Sequence, residues 1–246
     1  HTEMGRTYRF AAVLEEFRNT IQAELNYEKE AQNLATVGRN LAEFPLLEVP
    51  QPIPDFSKRS VLTMDHVQGR KVTSLTPLGR LELAGAPLAE ELFKAYLKQV
   101  LVDGIFHADP HPGNVFITDD GRLALLDLGM VGYTSPGMQE NLLKRLLAVS
   151  HGRGEDAGEL VIRISEKRGN FNAVEFQRRI SHLVAQHREQ DLQQLQIARS
   201  LLEVSRHARD SGLFVPSELT LLGKTLMQLD EIGRTLDPAF DPNSCI

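Results

Sequence analysis

Three side chains between positions 109 and 127 have the types and the spacing for phosphate chemistry. Asp109 stands five positions before Asn114, and Pro110, Pro112 and Gly113 lie in the loop between them. The prolines fix φ and stiffen that loop. Asp127 follows two short apolar runs, Val115–Ile117 and Leu123–Leu126, separated by a segment containing Asp120-Gly121. Asp-Gly between apolar runs is a hairpin signal, because a two-residue type I′ turn needs positive φ at both central positions. If those two residues are the whole loop, Asp119 pairs with Arg122, and counting outward puts Asn114 opposite Asp127. A three-residue loop would shift this register by one. Cross-strand neighbours have Cβ atoms roughly 4.5–5.5 Å apart. Two oxygen donors at that separation can share a Mg²⁺, with bonds of about 2.1 Å. A carboxylate at 109, held where the pair begins, would orient a hydroxyl or water for attack on a phosphate bound to the metal.

The order Asp109-x-x-x-x-Asn114, then Asp127-Leu128-Gly129, is that of the catalytic and metal loops of protein kinases. A lone Asp-Leu-Gly carries no weight; the loop, the asparagine and the hairpin-spaced triplet together do. His107-x-Asp109-x-His111 has the look of a metal-ligand cluster. The two prolines and the lack of further ligands nearby favour instead a His107 that braces the loop. Asp119 and Asp120 read as turn formers.

The elements around this stretch follow from periodicity. Ala11, Leu14, Phe17, Ile21 and Leu25 form one apolar stripe, predicting a helix over residues 9 to about 42. Pro50, Pro52 and Pro54 exclude helix, and Ser60–Met64 reads as a short strand. Leu92, Phe93, Tyr96, Leu97, Val100 and Leu101 mark a second amphipathic helix closed by Gly104 in the C′ manner. Beyond Ser135-Pro136 the pattern predicts helices over 137–150, 155–168, 173–188, 190–210 and 217–236. The class is therefore α+β with the helical part dominant.

Composition sets outer bounds. The 246 residues are 41 % apolar and 24 % charged, which supports a globular core and excludes disorder. A net charge of −6 argues against a nucleic-acid binder. No apolar run reaches 18 residues, so no membrane-spanning helix is expected. The single cysteine, Cys245, leaves no disulfide framework, which suits a reducing, cytoplasmic setting. The chain opens His1-Thr2-Glu3-Met4 without a signal peptide and reads as an excerpt of a longer protein.

His107-Ala108-Asp109-Pro110-His111-Pro112-Gly113-Asn114, with Glu24-Leu25-Asn26-Tyr27-Glu28-Lys29-Glu30-Ala31 upstream, resembles the UbiB (aarF-domain) family of atypical kinase-like ATPases. The resemblance spans residues 10 to about 240. It implies a protein-kinase-like fold, with an N-lobe remnant over 1–66 and a mainly helical C-lobe over 67–246. It implies ATP and Mg²⁺ as cofactors, Asp109 as the catalytic-loop aspartate, and Asn114 and Asp127 as metal ligands. Glu30 matches the helix glutamate that pairs with a nucleotide-binding lysine, and Met64, Asp65, His66 and Val67 match the hinge that receives adenine through main-chain groups. The family's Glu-x-Asp pattern stands here as Glu24-Leu25-Asn26, an amide replacing one carboxylate. Its K-x-G-Q segment, alanine-rich loop and phosphate-binding lysine are expected to precede residue 1. Lys29, Lys58 and Lys71 are not placed to substitute, so the chain by itself should bind nucleotide poorly.

The implied activity is hydrolysis of ATP or transfer of its phosphate near isoprenoid-quinone lipids, at a membrane surface and beside quinone-biosynthesis proteins. Only five residues separate Gly129 from Ser135, too few for a peptide-docking activation segment, and Ala-Pro-Glu is absent. A small-molecule phosphotransferase of the aminoglycoside- or choline-kinase kind, or a silent pseudokinase scaffold, are the alternatives. Arg178, Arg179, His182, His187 and Arg188 suit anionic headgroups, although Glu189 and Asp191 make a solvated face the better reading.

Overall fold

The computed structural model describes residues 26–142, 162, 165–167, 171–178, 208, 213–214 and 217–245. Helix α1 (Tyr27–Asn40) presents Asn33, Leu34 and Val37 to the interior. Its predicted extension back to residue 9, and the stripe from Ala11 to Leu25, lie outside the described residues. The chain then runs through β1 (Leu47–Glu48), β2 (Gly69–Lys71), α2 (Pro77–Leu81) and α3 (Gly85–Lys98). A π turn, Gln99–Asp103, unwinds the end of α3. Gly104 closes it at φ 72°, the left-handed stop the sequence predicts.

Strands β3 (Ile105–His107), β4 (Val115–Thr118), β5 (Leu123–Leu125) and β6 (Val131–Tyr133) follow, then β7 (Glu166–Lys167), β8 (Leu213–Phe214) and the long α4 (Ser217–Leu236). One sheet has the order β1-β5-β4-β2; β3 pairs with β6, and β7 with β8. Beneath them lies one main apolar core. Leu34 and Val37 from α1 meet Leu92 and Tyr96 from α3, Leu123 and Leu125 from β5, and Leu229 and Ile232 from α4. Each fully buried leucine contributes about 1.5–3 kcal/mol of transfer free energy. The core therefore fixes α1, the hairpin and α4 as one unit around residues 107–129. The result is the mixed, kinase-like α/β architecture, with small sheets set against helices.

Three local expectations are corrected. Ser60–Met64 is not a strand. Lys58 and Val61 exchange main-chain bonds of 2.7 and 2.9 Å in a tight turn, and Met64 makes only a bridge to Pro52. The facing segment carries Pro50, Pro52 and Pro54, which have no N–H to extend a ladder. Glu166–Lys167 is a strand paired with Leu213–Phe214, not the end of a helix.

The third correction concerns the β4–β5 hairpin, where Val115 faces Leu125 and Ile117 faces Leu123. Thr118 N–H donates to Arg122 O at 2.9 Å, so Asp119, Asp120 and Gly121 form a three-residue loop. Only Gly121, at φ 86°, takes the left-handed conformation; Asp120 does not, so the turn is not type I′. The register is one residue off the expected pairing.

The predicted helix at 217–236 is present over that span. Residues 136–142 are helical as expected, while the remainder of 137–150 and most of the 155–210 block lie outside the described residues.

Candidate active site

Strand β3 leads into the loop that carries Asp109 and Asn114. His107, its last residue, is buried, and its main-chain N–H donates to Gln99 Oε1 at 3.1 Å. Its Nδ1 lies 3.3 Å from Met130 O, which assigns the proton to that nitrogen. Burial drives the His107 pKa down to about 4, against smaller opposing pulls from Met130 O, Asp127 and Asp109. The imidazole is thus a neutral brace at pH 7, as the sequence reading expects. Among the described residues no three His, Cys, Asp or Glu side chains converge, so the His-x-Asp-x-His cluster does not form. His111 points elsewhere, its Nδ1 accepting from Gly113 N–H at 3.0 Å to cap the turn Pro112–Asn114.

Asp109 follows Ala108, whose carbonyl accepts from the buried Thr225 hydroxyl at 3.0 Å. Both Asp109 carboxylate oxygens are engaged from α4. Gln228 Nε2 donates to Oδ1, and Lys224 Nζ sits 2.9 Å from Oδ2. Partial burial alone would raise this carboxyl, but Gln228 and Lys224 outweigh it and hold Asp109 below the usual carboxylate range.

Asn114 ends the loop and Asp127 begins the Asp-Leu-Gly triplet. In the observed register Asn114 is level with Leu126, whose N–H donates to Asn114 O at 3.0 Å. The side chains of Asn114 and Asp127 nevertheless meet, Nδ2 donating to Oδ2 at 2.9 Å. Asp127 adopts φ 60°, a left-handed conformation uncommon for a non-glycine residue, and this reverses the alternation that would turn it away. Gly129 N–H approaches the other carboxylate oxygen at 3.4 Å. The contact that the sequence derives from register is therefore made through a backbone twist.

Helix α1 grips the residue after Asp127 on both sides. Leu128 is wholly buried, and its carbonyl accepts from Asn33 Nδ2 at 2.7 Å. Its N–H serves the half-buried Glu30 carboxylate. Glu30 is raised above the ordinary value, by burial first and the charge of Asp127 second. Two acids thus face one another, and no cation among the described residues forms an ion pair with either. Asn114 spends its amide donor on Asp127 and keeps its carbonyl oxygen, so this corner offers hard oxygen donors from two side chains. That set fits a hard divalent cation completing its shell with substrate phosphate and water.

The expected hinge is not joined to this corner. Asp65 N–H donates to Gln51 O at 3.0 Å, and its carboxylate accepts from Gln51 N–H at 3.0 Å. Among the described residues no hydrogen bond or ion pair links 64–67 to Asp109, Asn114 or Asp127. Met64 is half-buried against the main core, and Val67 is half-buried beyond it.

Four residues in contact with the candidate site escape the sequence reading: Asn33, Lys224, Thr225 and Gln228. Asn33 had a signal, standing one helical turn after Glu30 and so on the same face. Thr225 interrupts the stripe Leu222, Leu226, Leu229, an oddity that marks a buried hydroxyl with a partner.

Asp109, Asn114 and Asp127, with Leu128 gripped by a helix beside a small sheet, stand in a protein of kinase-like fold. Residues 2–160 match the ABC1 atypical kinase-like domain, and residues 180–241 match the UbiB helical domain. The chain belongs to this UbiB family of atypical kinase-like proteins. It is 31 % identical to an uncharacterized protein of Synechocystis, over 94 % of this chain and 59 % of that one. Proteins named probable protein kinase UbiB from Cellvibrio japonicus and Azotobacter vinelandii are 30 % and 31 % identical over 96 % of this chain. The chain covers 44 % and 45 % of those two, about half the length of the curated relatives it matches. A solved Mycobacterium tuberculosis structure, the complex of Rv3197 with erythromycin, superposes with a TM-score of 0.59 at 21 % identity. That match covers 92 % of this chain and 57 % of that one and concerns the fold alone.

Proposed function

We propose that the protein binds ATP with Mg²⁺ and hydrolyses it or transfers its terminal phosphoryl group. The observation that carries this reading is the Asn114–Asp127 contact at 2.9 Å, made beside Glu30, which has no ion-pair partner among the described residues. Asn114 Oδ1 and the Asp127 carboxylate would hold the Mg²⁺, which when bound neutralises phosphate charge and orients the phosphates. Asp109, kept ionised by its α4 partners, accepts the hydrogen of the attacking O–H and takes that proton as the new O–P bond forms. Glu30 is the group positioned to pair with a nucleotide-binding lysine.

The acceptor is water or a small molecule rather than a docked peptide. Strand β6 occupies most of the short stretch after Gly129 and leads directly into the helical residues 136–142, so this stretch itself holds no segment long enough to dock a peptide. Membership of the UbiB family supports an acceptor or effector among isoprenoid-quinone lipids at a membrane surface, with quinone-biosynthesis proteins as partners. No helix among the described residues is long and apolar enough to cross a membrane. Arg178, part of the basic cluster read from the sequence, is paired with Glu175 at 3.1 Å; Arg179, His182, His187 and Arg188 lie outside the described residues.

The test is Mg²⁺-dependent thermal stabilisation by ATP. Tested in the full-length protein, wild type should shift with Mg-ATP and not with ATP plus chelator, and Asp127→Asn should abolish the shift. A variant that keeps the full Mg²⁺-dependent shift rules out the assigned ligand.

A further inference from the structure

The catalytic loop, Asp109 to Asn114, contains no lysine or arginine. A phosphoryl group in transfer spreads negative charge over its outer oxygens, and a site that moves it needs cationic donors aimed at that charge. His111 does not supply one, because its Nδ1 is occupied by Gly113 N–H. The one cation in ion-pair contact with Asp109, among the described residues, arrives from more than a hundred residues downstream: Lys224 on α4.

We propose that Lys224 is the missing cation of the catalytic loop, its ammonium bridging the Asp109 carboxylate and the phosphoryl group being transferred, while Gln228 fixes the second carboxylate oxygen. This rests on the reading of the site as a phosphoryl-transfer centre and adds a residue to it. Three observations support the placement. Lys224 and Gln228 stand four residues apart, one turn of helix, so both reach the same carboxylate from one face. Thr225, fully buried between them in sequence, bonds the Ala108 carbonyl and sets the depth at which α4 meets the loop. The Lys224 side chain is 48 % exposed, so its head is open to solvent beside Asp109. An ammonium has three N–H donors. One serves Asp109 Oδ2, and the others can reach an oxygen arriving from solvent.

In the step itself, the nucleophile is water or an acceptor hydroxyl. Its oxygen forms a bond to the terminal phosphorus, and its proton passes to Asp109. The bond from that phosphorus to the bridging oxygen breaks, and its electron pair leaves with the nucleoside diphosphate. Lys224 keeps its proton throughout and compensates charge on the outer oxygens.

The experiment uses the whole protein and the variants Lys224→Met, Lys224→Arg and Gln228→Leu. The first readout is the titration midpoint of the Asp109 carboxyl, followed by ¹³C NMR without nucleotide. The groups facing it are Lys224 and Gln228 from α4, His107 on its own strand and Tyr96 from α3. The midpoint should rise in K224M and Q228L and stay near wild type in K224R. The second readout is Mg-ATP turnover. K224M should lower kcat by about 10²-fold, the scale of losing one transition-state donor, with KM for nucleotide changed less than about threefold. K224R should recover most of the loss. A K224M protein with wild-type turnover overturns the proposal, whatever its midpoint, and so does an unmoved midpoint. A wild-type protein that shows neither Mg²⁺-dependent ATP binding nor turnover sinks the functional reading itself, a result distinct from either of these.

Discussion

The two acids at the heart of the site live under opposite electrostatic regimes. Asp109 is held below the usual carboxylate range because Gln228 and Lys224 from α4 overcome its burial. Asp127, by contrast, stands beside Glu30, which burial and the Asp127 charge push upward. The buried His107 imidazole feels the charge of both aspartates. One corner arrives with its charge already compensated and its carboxylate oriented. The other carries surplus negative charge and hard oxygen donors. Under the proposed function the first corner would handle a proton and the second would receive a cation, and their difference is set by which helix reaches in.

The largest effect should come from separating them. Asp109→Asn removes the proton acceptor while leaving Asn114, Asp127 and Glu30 in place. Turnover should fall by about 10²–10⁴-fold, the usual worth of a positioned general base, with the Mg²⁺-dependent thermal shift by ATP retained. Equal loss of binding and turnover would erase the distinction between the corners.

A smaller effect tests the grip of α1. Asn33→Leu would leave the Leu128 carbonyl buried without its 2.7 Å donor. An unsatisfied buried acceptor costs about 1–3 kcal/mol, to be read from urea unfolding. The same variant should weaken Mg-ATP stabilisation, since Leu128 adjoins the left-handed Asp127. Asp109, tied to α4, should titrate as in wild type. If stability falls and the Mg-ATP shift stays intact, the grip holds the fold without tuning the metal corner.

How far these corners were legible differs in the same way. Asp109, Asn114 and Asp127 could be read because turn chemistry and local spacing bring them together within one short stretch of chain. Even there the register was wrong. Asp120-Gly121 is equally at home in a two-residue type I′ loop and as the end of a three-residue loop, and only Gly121 is left-handed. What restores the Asn114–Asp127 contact is the φ of 60° at Asp127, a conformation aspartate tolerates better than most residues but which nothing in the local sequence singles out for this position. Ser60–Met64 had the composition of a strand, but its would-be partner lacks donors at three prolines, a pairing property invisible in the segment itself. The α4 contacts to Ala108 and Asp109 join residues 117 and 119 positions apart. Periodicity placed that helix to the residue, yet it specifies a buried face and not what the face touches.

The smallest predicted effect is the most direct measure of surplus charge in the metal corner. Glu30→Gln keeps an oxygen to accept from Leu128 N–H and removes one of the two facing charges. The sign follows from linkage: a carboxyl raised in the folded state above its ordinary 4.5 binds protons more tightly when folded. Wild type is therefore penalised where Glu30 is ionised in both states. The penalty fades as pH falls through the raised folded value and is gone below 4.5. Without metal, the E30Q variant should accordingly be modestly more stable than wild type at pH 7, with the gap closing on acidification. Mg²⁺ with ATP should narrow or invert it, because the wild-type corner then has positive charge to hold. Denaturation curves at pH 7 and pH 4, with and without Mg-ATP, would decide. A gap insensitive to pH would mean that neither burial nor the Asp127 charge raises Glu30, and the contrast between the two corners would have to rest on Asp109 alone.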